Sequence, residues 1–110
     1  MTRRYRVVFT DDARQALRKL DGAERLANIA PGALSREALR ALLAGTTLGT
    51  LLEDLETLAA DPYGGPTLAR TAGAEDDRTA LLGALAVTYM VSPSTQPPVI
   101  TVTTIRPPKG

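Results

Sequence analysis

Thr79–Val91 reads TALLGALAVTYMV and carries no charge. It falls short of the roughly 20 apolar residues that a bilayer span needs. Gly83 sits near its middle, and the half that follows is rich in β-branched and aromatic residues. Such residues suit a pleated, half-buried surface. The stretch therefore reads as two buried strands folded back on each other at Gly83. A buried helix over 79–91 is the competing reading. Leu81, Leu82 and Leu85 also permit helical spacing, and periodicity does not separate the two over so short a run.

Outward from this hairpin, Ser92–Pro98 (SPSTQPP) has neither helix nor strand character. Val99–Ile105 (VITVTTI) is a last strand by its β-branched content. Arg106–Gly110 (RPPKG) is a tail that cannot carry a ladder past its prolines. On the other side, residues 63–77 (YGGPTLARTAGAEDD) form a polar, glycine-rich connection. Before it, Leu48, Leu51, Leu52, Leu55, Leu58 and Ala59 make the best helical stripe in the chain, starting at Thr46 or Thr47. Asp61-Pro62 stops that helix, because the residue before a proline is pushed out of helical geometry. Ser35 is a cap for an earlier helix whose apolar side is Leu39, Leu42 and Leu43, ended by Gly45.

At the start of the chain, Tyr5, Val7 and Phe9 share one face of a strand, and Arg4, Arg6 and Val8 the other. Thr10 caps the next helix, with Asp11 and Asp12 in the first turn where carboxylates suit the helix dipole. Ala13, Ala16, Leu17 and Leu20 form its stripe. This helix either breaks at Asp21-Gly22 or runs on through Leu26 and Ile29. The order is β-α-α(-α)-β-β-β, with no internal repeat and no domain boundary. Residues 1–110 thus read as a single α+β domain: a small, mainly antiparallel sheet of about four strands with helices on one face.

Composition narrows the chemistry. The chain has no cysteine and no histidine. That removes disulfides, thiolate metal sites and the usual proton shuttle at neutral pH. A general acid or base must come from Asp, Glu, Lys, Tyr or Arg, and no metal or cofactor is expected. The first residues, MTRRYRVVFT, lack a long apolar run before Asp11-Asp12 and do not read as a signal peptide, so a cytoplasmic protein is expected. Residues 1–40 hold nine Lys/Arg against five Asp/Glu, a balance of +4, whereas residues 41–110 stand at −3. Arg4, Arg6, Arg14, Arg18 and Lys19, with Lys109 in the tail, are candidate contacts to nucleic-acid phosphates. A solvated helix face beside a charge-protected edge strand is the alternative.

Several of these pieces, in this order, resemble the RelE/ParE superfamily of toxins from bacterial toxin–antitoxin pairs. The first strand, Tyr5-Arg6-Val7-Val8-Phe9-Thr10, matches the family's opening, and the spacing of Ala13, Leu17 and Leu20 matches its first helix. Leu58-Ala59-Ala60-Asp61-Pro62 resembles the close of its second. Arg70-Thr71-Ala72-Gly73 stands where the family has a basic residue and glycine. Gly83 to Tyr89 resembles its Gly-turned hairpin ending in tyrosine. The resemblance covers most of the chain. Residues 21–47 are an additional helical segment, and Leu85-Ala86 stand where the family often has an arginine.

The resemblance implies a type II toxin acting on translation through ribosome-associated mRNA cleavage, with a cognate antitoxin as partner. The alternatives are inhibition of DNA gyrase, as in the ParE branch, or a catalytically degenerate protein-binding module. No membrane role is implied. Mapped onto this sequence, the candidate catalytic residues of a metal-independent endoribonuclease are Arg70, Arg78, Tyr89 and Arg106. Each also has a plain structural reading: Tyr89 as a core tyrosine, the arginines as solvated charges or a strand-end charge.

Overall fold

The computed structural model describes residues 4–30, 32–64, 67–70 and 73–107. Among them, strand β1 (Arg6–Phe9) is followed by helices α1 (Asp11–Arg18), α2 (Arg36–Leu42) and α3 (Thr47–Ala60). Strands β2 (Leu68–Ala69), β3 (Asp77–Leu82), β4 (Leu85–Ser92) and β5 (Val99–Arg106) complete the chain. One sheet holds all five in the order β1-β5-β4-β3-β2. The β1–β5 pair is parallel and the others are antiparallel. The fold is α+β, as expected, with one strand more than expected because two residues of the glycine-rich connection pair with β3.

Residues 79–91 are a hairpin and not a helix. Leu82 pairs with Leu85, leaving Gly83-Ala84 as a two-residue turn. Both turn residues have positive φ, 56° and 64°, which matches the twist of the flanking strands. Glycine suits this position because of that φ and because of the close approach of α3. A Cβ would come within 3.0 Å of the Leu51 backbone nitrogen, and the Gly83 N–H donates to Asp54 Oδ2 at 2.6 Å. That bond ties the hairpin tip to α3.

Alternation along the strands puts Ala80, Leu82, Leu85, Val87, Tyr89, Val91, Ile100, Val102 and Ile105 on one face. Ala13, Leu51, Leu55 and Leu58 from α1 and α3 close over them to form the core. The helices start where side chains can satisfy their free N–H groups. Thr10 accepts from Ala13 N, Ser35 from Ala38 N and Thr46 from Gly49 N. Helix α1 stops at Arg18, and Gly22, at φ 103°, turns the chain into a short 3-10 turn at Ala23–Leu26. This settles the open choice at Asp21-Gly22 in favour of a break. The chain then returns through α2 to a close contact at Gly49, where a Cβ would meet the Leu43 carbonyl oxygen at 2.2 Å. No described helix is long and apolar enough to cross a membrane.

Candidate functional site

The sheet has two unlike faces. The face toward α1 and α3 is the core. The opposite face is covered by no helix among the described residues and carries Thr79, Thr88, Thr101, Thr103 and Thr104, all half-buried. A bulge creates part of this surface: Thr88 pairs with Thr104 while Tyr89 pairs with Val102, so Thr103 has no opposite residue. The extra residue lets Val102 and Ile105 both point into the core while Thr103 and Thr104 both stay on the open side. The Thr88 hydroxyl meets those of Thr103, at 2.8 Å, and Thr104, at 2.5 Å. Thr103 Oγ1 also donates to Thr88 O at 3.1 Å.

A shallow hollow of about 510 Å³ lies over these hydroxyls, with Arg70, Asp77, Met90 and Arg106 also lining it. Arg70 Nη1 stands 3.2 Å from Asp77 Oδ1. Arg106 is exposed and makes no ion pair among the described residues. Arg6 is exposed on the far edge strand, with exposed Arg4 just before it. The five strands contain a single carboxylate, Asp77, and it is already occupied by Arg70. That pair cancels, so the positive charge of the open side comes from Arg106 and Arg6, with Arg4 beside it. Guanidinium groups with hydroxyls between them offer several donors to phosphate oxygens.

The four residues mapped as catalytic are divided between the faces. Arg70 and Arg106 lie on the open one. Arg78 and Tyr89, which are register partners, lie on the core one. Tyr89 is 0% exposed, and its hydroxyl donates to Pro62 O at 2.7 Å. Burial pushes its pKa above the ordinary value, and the hydroxyl of Thr67 and the Arg78 guanidinium pull partly against that. Arg78 is 5% exposed. It donates to Tyr63 O and Thr67 Oγ1 through Nη2 and to Glu75 through Nη1. Its guanidinium carbon also stands 5.3 Å from the Tyr63 ring centre. Arg78 Nε has no partner among the described residues.

Tyr63 in turn donates to Asp76 Oδ1 at 2.6 Å. Burial first, then that bond, holds the Tyr63 hydroxyl well above its ordinary pKa of 10.0. Arg78 and Tyr89 thus clasp both ends of the 61–77 connection to the sheet. A hydroxyl engaged with a backbone carbonyl, in the core, is not presented to a substrate.

The remaining basic candidates are on two surfaces. Arg4 and Arg6 accompany the sheet edge, while Arg14, Arg18 and Lys19 are exposed on α1. Lys109 lies outside the described residues. Beside α1 runs a second concavity, an apolar groove of about 730 Å³ lined by Leu17, Leu20, Leu26, Leu48 and Leu52. No group of three or more His, Cys, Asp or Glu among the described residues is placed to hold a metal ion.

The threonine surface escaped sequence reading, although its signal was present: Thr79, Thr88 and Thr101 alternate with core residues, and the doubled Thr103-Thr104 breaks the alternation where the bulge falls. No family model matches the chain, and comparison with curated proteins and with solved structures found no match.

Proposed function

We propose that this chain is a toxin of the RelE/ParE kind that acts on translation in the cytoplasm by holding RNA against the open face of its sheet. The observation that carries this reading is Arg106, in no ion pair among the described residues, and the Arg70–Asp77 pair flanking a bed of threonine hydroxyls on strands that hold no other carboxylate. Phosphate contacts of this sort supply salt-dependent affinity. Arg4 and Arg6 extend the basic surface toward β1. A cognate antitoxin would hold the chain inactive until released.

Cleavage is a weaker expectation than binding. Metal-independent cleavage of RNA needs a group to activate the 2′-hydroxyl and an acid for the leaving oxygen, each worth about 10²–10⁴ in rate. Tyr89 is committed to Pro62 O, and Asp77 is held by Arg70. This favours, as a second reading, a non-nucleolytic chain of the same layout that blocks its target by binding, gyrase included.

Three measurements test the proposal. Expression without a partner should arrest growth. Purified protein should bind single-stranded RNA, with Arg106→Ala reducing the slope of log affinity against log salt by about 0.7 and Arg70→Ala weakening binding by releasing the Asp77 carboxylate on the same face. Incubation with programmed ribosomes then separates cleavage from occlusion. Unimpaired growth at confirmed soluble expression, together with RNA affinity unchanged in the double variant, would sink the proposal.

A further inference from the structure

Strand β1 is an edge of the sheet, and only one of its sides is used. The Arg6 N–H donates to Pro98 O at 2.8 Å and the Thr10 N–H to Val102 O at 3.0 Å. The even-numbered backbone groups of β1 therefore face β5. Backbone groups alternate sides along a strand, so those of Val7 and Phe9 point outward. The Tyr5 N–H also points outward and is taken by Ala59 O at 2.8 Å. The Val7 and Phe9 N–H groups have no partner among the described residues. Side chains tell the same story. Val7 and Phe9 stay half-exposed, although their register partners on β5, Ile100 and Val102, are 0% exposed. The core is thus unfinished along this edge, both in backbone bonds and in apolar cover.

The edge fits a second copy of itself. An antiparallel pair of identical strands has a two-fold axis, and the axis that uses the free groups passes beside Val8. Val7 of each copy then exchanges N–H and C=O bonds with Phe9 of the other. Val8 meets Val8 in the closer position that carries no hydrogen bonds. Sliding the pair by one residue would set outward groups against inward ones. Sliding by two would call on the Tyr5 N–H, already held by Ala59, or on Asp11, already in α1. In the fitting register the faces also agree, with Val7 beside Phe9 on the core side and Val8 beside Val8 on the open side. Charge agrees as well. Arg4 is exposed before the strand and Asp11 and Asp12 are exposed after it, and none of the three makes an ion pair among the described residues. The antiparallel arrangement brings the Arg4 end of each strand to the Asp11-Asp12 end of the other. Arg6, the one cation within β1, stands opposite Thr10 and not opposite a second arginine.

We propose that β1 is a dimerisation edge, which joins the five-stranded sheets of two copies into one continuous sheet with both open faces on the same side. The inference stands on the backbone of β1. It does not depend on RNA binding or on a toxic activity.

The test uses the full chain. Sedimentation should show a monomer–dimer equilibrium. Hydrogen exchange at the Val7 and Phe9 amides should slow at least roughly tenfold as the dimer fills, while the Val8 amide, which faces β5, changes little. Val8→Lys and Val8→Glu should each weaken association at least roughly tenfold, because like charges then meet across the axis. An equimolar mixture of the two variants should associate again, with circular dichroism spectra matching that of the parent. A chain still monomeric at about 1 mM would overturn the proposal. So would a dimer that leaves the Val7 and Phe9 amides exchanging freely, or one whose affinity neither substitution changes. A mixture of the folded variants that associates no better than each alone would also overturn it.

Discussion

The sheet with α1 and α3, and the arm from Leu20 to Gly45, are both made of leucine-rich sequence, yet they hold together differently. In the body, residues at alternate strand positions and one helical stripe meet across a closed interior, and Leu51, Val87, Tyr89, Ile100 and Val102 lose all contact with water. In the arm, Leu20, Leu26, Leu34, Leu39 and Leu42 stay half-exposed and only Leu43 is buried. A helix of seven residues such as α2 is too short to be stable from its own hydrogen bonds. Apolar composition alone therefore does not make a core; it needs an opposing surface.

The largest expected break in this contrast is Leu51→Ala, which should cost about 2–5 kcal/mol because the site sits under the hairpin turn and cannot collapse. Leu26→Ala in the arm should cost under about 1 kcal/mol. Urea denaturation of both variants checks the difference; equal losses would mean the arm is as tightly packed as the body. Next is Arg78→Met. It removes the donors to Tyr63 O, Thr67 Oγ1 and Glu75 O, and should cost about 3 kcal/mol on the scale of charged hydrogen bonds. Limited proteolysis should then cut within residues 61–77, leaving the arm's cleavage pattern unchanged.

A pH measurement sharpens the same point. The hydroxyl of Tyr89 has its pKa raised in the folded chain above the ordinary 10.0. Above that pH the unfolded chain loses the proton while the folded chain keeps it, so stability is retained below it and falls as pH rises through the folded value. Tyr89→Phe should flatten that alkaline fall, and should cost about 1 kcal/mol at neutral pH through the lost bond to Pro62 O. Alkaline melts of the two proteins that run parallel would count against the buried hydroxyl.

Ala84→Gly should stabilise the chain by about 1 kcal/mol in thermal melts, since alanine at φ 64° is strained. The smallest effect is Arg40→Ala. Its partners are Glu53 and Glu56 on a solvated surface, where such pairs are worth roughly 0–1 kcal/mol. Hydrogen exchange in α2 should nonetheless quicken, while β4 amides stay protected.

Much of this was legible in the residues because the signals are local. Thr10, Ser35 and Thr46 announce their helices through side-chain oxygens that serve the next turn. Asp61-Pro62 ends α3 through a steric conflict between neighbours. Gly83 marks a turn through its own conformational freedom. The candidate site was legible only in part. Arg70 and Arg106 were singled out and do lie together on one surface, but Arg78 and Tyr89 were grouped with them on the strength of a resemblance. Their place in the alternation Arg78-Ala80-Leu82 and Leu85-Val87-Tyr89-Val91 puts them on the other face.

Period, caps and breakers were therefore written into the chain: which stretches become helix or strand, and where each one stops. Pairings between distant segments were not. The parallel seating of β1 beside β5, the unmatched Thr103 and the clasp of Arg78 on Tyr63 and Thr67 depend on residues 11 or more positions apart. A hydrogen-bond ladder or a buried cation is stabilised by whichever groups the assembled layers bring within reach, and no local pattern specifies who those neighbours are.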